Sequence, residues 1–131
     1  MILVVEDHPP LRGLVAEALH AAGYRVVEVW NGQQAIAALE EHLPPDGQLC
    51  LVLLDLRLPY VSGLDVLRHL AARQPTIPVV AMSADGSLLD AATASGVEVI
   101  LHKPFELDEL LAAVRRYCPM EDRPALGDQA G

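Results

Sequence analysis

Six apolar residues, Leu49 to Leu54, run without interruption into one carboxylate, Asp55, and Pro59 follows shortly after. No other stretch limits the fold as tightly. The run is far shorter than the roughly 20 residues of a membrane span. It suits a strand buried on both faces, because a strand with one wet face alternates polar and apolar residues. Asp55 is then expected as the first residue to leave the sheet at its carboxyl edge. Such a strand needs covering layers on both sides, and the rest of the chain must supply them.

It does so by regular alternation. Ile2-Leu3-Val4-Val5 is a second short apolar run and ends in Glu6-Asp7. Pro9-Pro10 suits a helix entry, where the missing N–H of proline costs nothing. Leu11, Leu14, Val15, Ala18, Leu19 and Ala22 follow at helical spacing, and Gly23 offers a left-handed stop. Arg25 to Trp30 reads as a strand. Asn31 has the position of an N-cap with Gln34 as reciprocal partner, ahead of a helix that turns Ala35, Ile36 and Leu39 inward. Pro44-Pro45-Asp46-Gly47 breaks the chain before the central run. Beyond Asp55, Ser62 and Asp65 have capping-box spacing, and Leu64, Leu67, Leu70 and Ala71 form the expected buried stripe. Val79 to Met82 is a fourth strand, left through Ser83-Ala84-Asp85-Gly86. Ser87 to Ser95 reads as a weakly anchored helix, and Val97 to Leu101 as a fifth strand that runs into His102-Lys103-Pro104. Leu107, Leu110, Leu111 and Val114 mark a last helix that stops near Cys118-Pro119.

Five strands alternating with five helices predict an α/β fold with a parallel sheet covered on both faces. Right-handed crossovers leave few strand orders. The doubly wound order 2-1-3-4-5 reverses between strands 1 and 3, and ligands bind outside the carboxyl ends of strands at such a reversal. The chain has 131 residues, of which 52% are hydrophobic and only 4% aromatic, so the expected core is large and aliphatic. One domain over 1–118 with a floppy tail over 119–131 follows. A net charge of −9 argues against nucleic acid or an anionic membrane as a partner held by bulk charge. Cys50 and Cys118 lie far apart in no metal-ligand spacing, which reads as a packing role for Cys50 and a reducing compartment. With no signal-peptide pattern, the expected location is cytoplasmic.

The polar residues at the strand exits are Glu6, Asp7, Asp55, Ser83 and Lys103. Three carboxylates from the two strands that flank the reversal would repel one another unless a proton or a cation compensates. An oxygen-only, partly open ligand set suits magnesium, which prefers one or two carboxylates and keeps several waters. Lys103 brings a further positive charge, Ser83 a hydroxyl, and Ala84 leaves room for a tetrahedral group. Phosphoryl transfer asks mainly for positioning and charge neutralisation. The set therefore reads as a phosphoryl acceptor centred on Asp55. Taken singly, each of these residues has an ordinary structural reading: Asp55 and Ser83 as caps, Glu6-Asp7 as a favourable pair at a helix N-terminus, Lys103 as a solvated cation.

In that order and spacing the residues resemble the receiver domain of bacterial two-component response regulators. The resemblance spans about Ile2 to Tyr117. It rests on Glu6-Asp7, on Asp55 with Pro59 and Gly63, on Ser83-Ala84 and on Lys103-Pro104-Phe105. It implies a flavodoxin-like (βα)5 sandwich that accepts a phosphoryl group on Asp55 from a sensor histidine kinase or a phosphotransfer protein. It further implies magnesium held by Asp7, Asp55 and the Arg57 carbonyl with Glu6 assisting through water. Ser83 and Lys103 would hold the phosphoryl group, and the Lys103–Pro104 bond would be cis. Such a domain is not an enzyme beyond its own phosphorylation and dephosphorylation, and its output passes through an unidentified downstream protein, with pairing of two copies left open. Two positions depart from the pattern. Ile100 stands where receivers carry the aromatic residue of their switch, whose other half here is Ser83. Arg57, two residues past the acceptor, is long and cationic, which suggests an effect on phosphoryl lifetime. A receiver-fold module that binds partners without phosphorylation is the competing reading. A phosphatase with an aspartyl-phosphate intermediate fits poorly, because Arg57 stands where its second aspartate would be.

Overall fold

The computed structural model describes residues 1–44, 47–72 and 77–119. Its elements alternate as expected: β1 (Ile2–Val5), α1 (Pro9–Ala21), β2 (Val26–Val29), α2 (Gly32–His42), β3 (Leu51–Asp55), α3 (Gly63–Ala72), β4 (Val79–Ser83), α4 (Gly86–Ala94), β5 (Val99–His102) and α5 (Leu107–Tyr117). The strands form one sheet in the order β2-β1-β3-β4-β5. All four pairings are parallel, so every strand exit lies on one edge.

Strand side chains alternate between faces, and that period of two divides the core. Leu3, Val5, Val52, Leu54 and Ala81 share a cluster with Ala35 and Leu39 of α2, Val66 and Leu70 of α3, and Leu89 and Ala92 of α4. Ile2, Val4, Leu51, Leu53, Val80 and Met82 share the other with Val15 and Leu19 of α1 and Leu110 and Val114 of α5. β1 and β3 are wholly buried, which is why they read as unbroken apolar runs.

Helix ends follow their local chemistry. The Asn31 side chain accepts from the Gln34 amide, but Gln34 Oε1 reaches the Trp30 amide, one residue earlier than a capping box requires. Ser62 and Asp65 do bond reciprocally, and α5 opens with a complete Glu106–Glu109 box. Gly23 ends the turn after α1 with φ 97°.

Several expectations need correcting. Asp55 is the last residue of β3, paired with Met82 and 3% exposed, not the first residue outside it. Ser83 likewise closes β4, and β5 starts at Val99, not Val97. The buried stripe of α3 is Gly63, Val66 and Leu70; Leu64 and Leu67 are half-buried and Ala71 is exposed. Pro45, Asp46 and Pro75 lie outside the described residues, as does the expected tail except Pro119. The largest departure concerns the cysteines: Cys50 and Cys118, 68 residues apart, are joined in a disulfide with their Cα atoms 5.9 Å apart. A packing thiol was the wrong reading of Cys50.

Gly63 matters to the site directly. A Cβ built there would lie 2.5 Å from Leu56 Cα and 2.7 Å from the Asp55 carbonyl oxygen, both backbone atoms that cannot yield. Gly86, at the start of α4, has nothing within 4 Å of the same position. Gly63→Ala is expected to cost about 3 kcal/mol in urea unfolding. Gly86→Ala is expected to stabilise by about 0.5 kcal/mol, chiefly by narrowing the unfolded ensemble. Equal effects at the two positions would contradict the packing described.

Candidate functional site

β1 and β3 are parallel neighbours with Val5 opposite Leu54. The next residue on each strand is therefore a carboxylate, Glu6 beside Asp55. Glu6 remains tied to the sheet by its amide, which donates to the Val29 carbonyl at 3.1 Å. It is buried, 1% exposed, while Asp7 after it is exposed. One carboxylate oxygen from each of Glu6, Asp7 and Asp55 lies within 4.8 Å of the others.

The balancing cation crosses from the far strand. The Lys103 amide donates to the Ser83 carbonyl at 2.9 Å, extending the β4–β5 ladder by one step. Its Nζ then donates to Glu6 Oε1 at 2.7 Å and to Asp55 Oδ2 at 3.2 Å. The Lys103–Pro104 bond is cis. The second oxygens are also used: Asp55 Oδ1 accepts from the Arg57 amide at 3.0 Å, and Glu6 Oε2 from the His8 amide at 3.2 Å.

One ammonium against three carboxylates leaves the cluster negative. Burial raises the Glu6 carboxyl to about 7, the Asp55 charge adds to the rise, and the Lys103 hydrogen bond only partly offsets it. Burial also works against the Lys103 charge, but its bond to Glu6 and the charge of Asp55 prevail and hold it above its usual value. A cluster that is all oxygen, tightly grouped and short of positive charge fits a hard divalent cation.

Ser83 is 1% exposed, and its Oγ accepts from the Asp85 amide at 3.0 Å. Asp85 is a residue that the sequence reading passed over as part of a loop. Its Oδ1 caps α4 by accepting from Ser87 and Leu88, and its Oδ2 accepts from Arg57 Nη2 at 2.9 Å. The Ser87 hydroxyl and amide, with a smaller contribution from Arg57, hold the Asp85 carboxyl below its usual value. Asp85 followed by Gly86-Ser87 was the available signal for this cap. The Arg57 side chain is 73% exposed and pairs with Asp85. Arg12 was also missed: its Nη1 donates to the Glu6 carbonyl at 3.0 Å, and its guanidinium stacks 5.3 Å from the Trp30 ring. Ile100 projects outward from β5, 41% exposed, and has no place in the cluster.

Comparison with known proteins agrees with this arrangement. Residues 2–115 match the model of the response regulator receiver domain. The chain is 37% identical over 116 residues to the transcriptional regulatory protein TrcR of Mycobacterium tuberculosis, covering 87% of this chain and 43% of that protein. It is 31% identical over 122 residues to sporulation initiation phosphotransferase F of Bacillus subtilis, covering 92% and 94%. The receiver domain of the sensor histidine kinase PA1611 from Pseudomonas aeruginosa, solved with a magnesium ion coordinated in its active site cleft, superposes with a TM-score of 0.77 at 30% identity, covering 88% and 94%. The chain spans a little under half the length of the first curated relatives it matches. Among the described residues no helix is long and apolar enough to cross a membrane. The fold, the carboxylate cluster and the matched residues agree: the chain belongs to the response regulator receiver domain family.

Proposed function

We propose that the domain, over 1–118, accepts a phosphoryl group on Asp55 from a sensor histidine kinase or a phosphotransfer protein and signals from the cytoplasm to a downstream protein. The observation that carries this reading is the Lys103 ammonium bound at once to buried Glu6 and to Asp55. A fold keeps such a charge cluster only at a cost in desolvation, which weighs against a module that binds without phosphorylation. Asp55 supplies the nucleophilic oxygen. Lys103 neutralises charge on the incoming group, and Ser83 offers a hydroxyl beside it. Asp7, Asp55 and the Arg57 carbonyl would hold magnesium, with Glu6 assisting. The bound ion supplies charge neutralisation that lets an anionic donor approach a carboxylate. The domain turns over no separate substrate.

Incubation with magnesium and acetyl phosphate should add the mass of one phosphoryl group to the wild type and none to Asp55→Asn. Lys103→Ala should fold and be phosphorylated about a hundredfold more slowly. Phosphorylation of Asp55→Asn would overturn the assignment.

The Glu6 carboxyl gives a pH signature. Its folded value near 7 exceeds its ordinary 4.5, so the native state holds a proton that the unfolded chain has lost. In metal-free protein this contribution to stability is full below about pH 4.5 and is lost as pH rises through about 7. Magnesium competes with that proton, so its apparent affinity should rise between about pH 5 and about pH 8. Thermal midpoints with and without magnesium check both trends, and Glu6→Gln should flatten them.

Arg57 is held by Asp85 beside the acceptor loop, where its guanidinium can obstruct the attacking water. Arg57→Ala is expected to shorten the phosphoryl lifetime several-fold. Identical decay of the two phosphorylated proteins would remove that role.

A further inference from the structure

We propose that Cys50 and Cys118 form a reversible thiol–disulfide site, open to low-molecular-weight disulfides, that fastens or frees the C-terminal end of α5. The site lies at the edge of the sheet away from Asp55: Cys50 immediately precedes β3, and Asp55 ends it. It does not depend on phosphate acceptance, and its chemistry is read on sulfur alone.

Non-covalent contacts anchor each of the two residues separately. The Cys50 amide donates to the Met1 carbonyl at 2.9 Å. The Tyr24 hydroxyl donates to the Cys118 carbonyl at 2.6 Å, and the Cys118 amide to Val114 at 2.7 Å. Val114 and Leu110 are packed among Leu19, Leu51 and Leu53. A separation of 5.9 Å between the Cα atoms is within bridging range. A core of this size needs no disulfide to replace missing apolar contacts, unlike that of a small secreted domain. The reduced chain therefore keeps its fold with both sulfurs in reach. The Met1 carbonyl, 3.3 Å from Cys50 Sγ, can then accept the thiol proton.

The two sulfurs differ in access. Cys118 is 1% exposed and Cys50 is half-buried. An external disulfide RSSR therefore meets Cys50 first. The Cys50 thiolate attacks one sulfur, forms a mixed disulfide and releases RS⁻. The Cys118 thiolate then attacks Cys50 Sγ, forms the internal bond and releases the second RS⁻. Two electrons pass from the protein to RSSR, and its two thiolates take up the two protons the cysteines lose. The chain has two cysteines in all, so no other internal bond competes. Burial of Cys118 disfavours bridging to a second copy.

The consequence falls on the last turn of α5. Leu110, Ala113 and Val114 anchor the helix, but Arg115 and Arg116 are exposed and Tyr117 only half-buried. Past Val114, the sulfur bridge and the Tyr24 bond hold the helix end, together with partial packing of Tyr117 against the core. Opening the bridge loosens Arg115 to Pro119 and the direction in which the chain leaves the domain.

The test uses the full chain in glutathione buffers of rising oxidised fraction, quenched in acid and alkylated, with thiols counted by intact mass. The expected result is two labels in reducing buffer and none in oxidising buffer, all on single copies. Amide hydrogen exchange at 115–118 should speed up roughly tenfold on reduction. The thermal midpoint should fall by roughly 10 °C. Cys50→Ser should show the fast exchange in every buffer, with Cys50→Ala as the second variant if serine impairs folding. Cys118→Ser should trap one glutathione on Cys50. Thiols that stay labelled in oxidising buffer, wild type that stops at a glutathione adduct, or equal exchange in the two states would overturn the proposal.

Discussion

One ammonium shared by two buried carboxylates is the constraint on which the rest of the site depends. Glu6 and Asp55 cannot avoid each other, because Val5 and Leu54 are in register on adjacent parallel strands. Two carboxylates that close, with one of them 1% exposed, repel strongly when both are ionised and uncompensated. Lys103 compensates from β5, two strands from β3, a span of about 10 Å. Its backbone is pinned first, to Ser83 on the strand between, and its side chain then crosses that strand's end. Asp7 adds a third carboxylate that Lys103 does not reach. The remaining deficit of positive charge is what a divalent cation answers.

The scaffold under this edge is rigid for reasons unrelated to charge. Each face of the sheet carries its own aliphatic cluster, so β1 and β3 cannot slide without moving apolar side chains to the wrong layer. The loops above them are pressed together by small residues. Gly63 lies against the backbone of Leu56 and Asp55, and Gly32 lies against Val61, so the loops after β2 and β3 share one wall. The end of β3 that carries Asp55 is thus fixed by packing before any hydrogen bond is counted.

How much of this was legible follows from the range of each interaction. Strands β1, β3 and β4 were readable because both-face burial removes polar residues from the run. The ends of β3 and β4 were not, because Asp55 and Ser83 carry polar side chains on residues that still pair in the ladder. The identity of α3 was clear from Ser62 and Asp65, yet its buried stripe was misplaced, since Gly63, Val66 and Leu70 are buried while Leu64 and Leu67 pack against the core only in part. The cluster of Glu6, Asp7, Asp55 and Lys103 could be inferred, because topology alone brings strand exits together. The Cys50–Cys118 bond could not, because nothing local relates residues 68 positions apart whose elements meet only through the packing of α5. Arg12 was hidden for the same reason, as was the hold of Asp85 on Arg57: each acts through a partner on another element.

The network around Asp85 bears on how added charge would be felt. Receivers are expected to couple the acceptor to an aromatic side chain on the last strand, but Ile100 offers no ring and points to solvent. The coupling available here runs along the chain after β4. Ser83 Oγ accepts from the Asp85 amide, Asp85 caps α4, and Asp85 also holds Arg57 from the loop after β3. Under the proposed function a phosphoryl group on Asp55 adds negative charge beside both ends of that chain. It attracts the Ser83 hydroxyl and competes with Asp85 for Arg57, and each change weakens the hold on the first turn of α4. α4 is a helix of 9 residues with Leu89 and Ala92 as its buried anchors. Among the elements that touch this network it is the one held by the least apolar burial. A charge-driven shift would therefore go first to the start of α4 and leave the outward face of β5 unchanged.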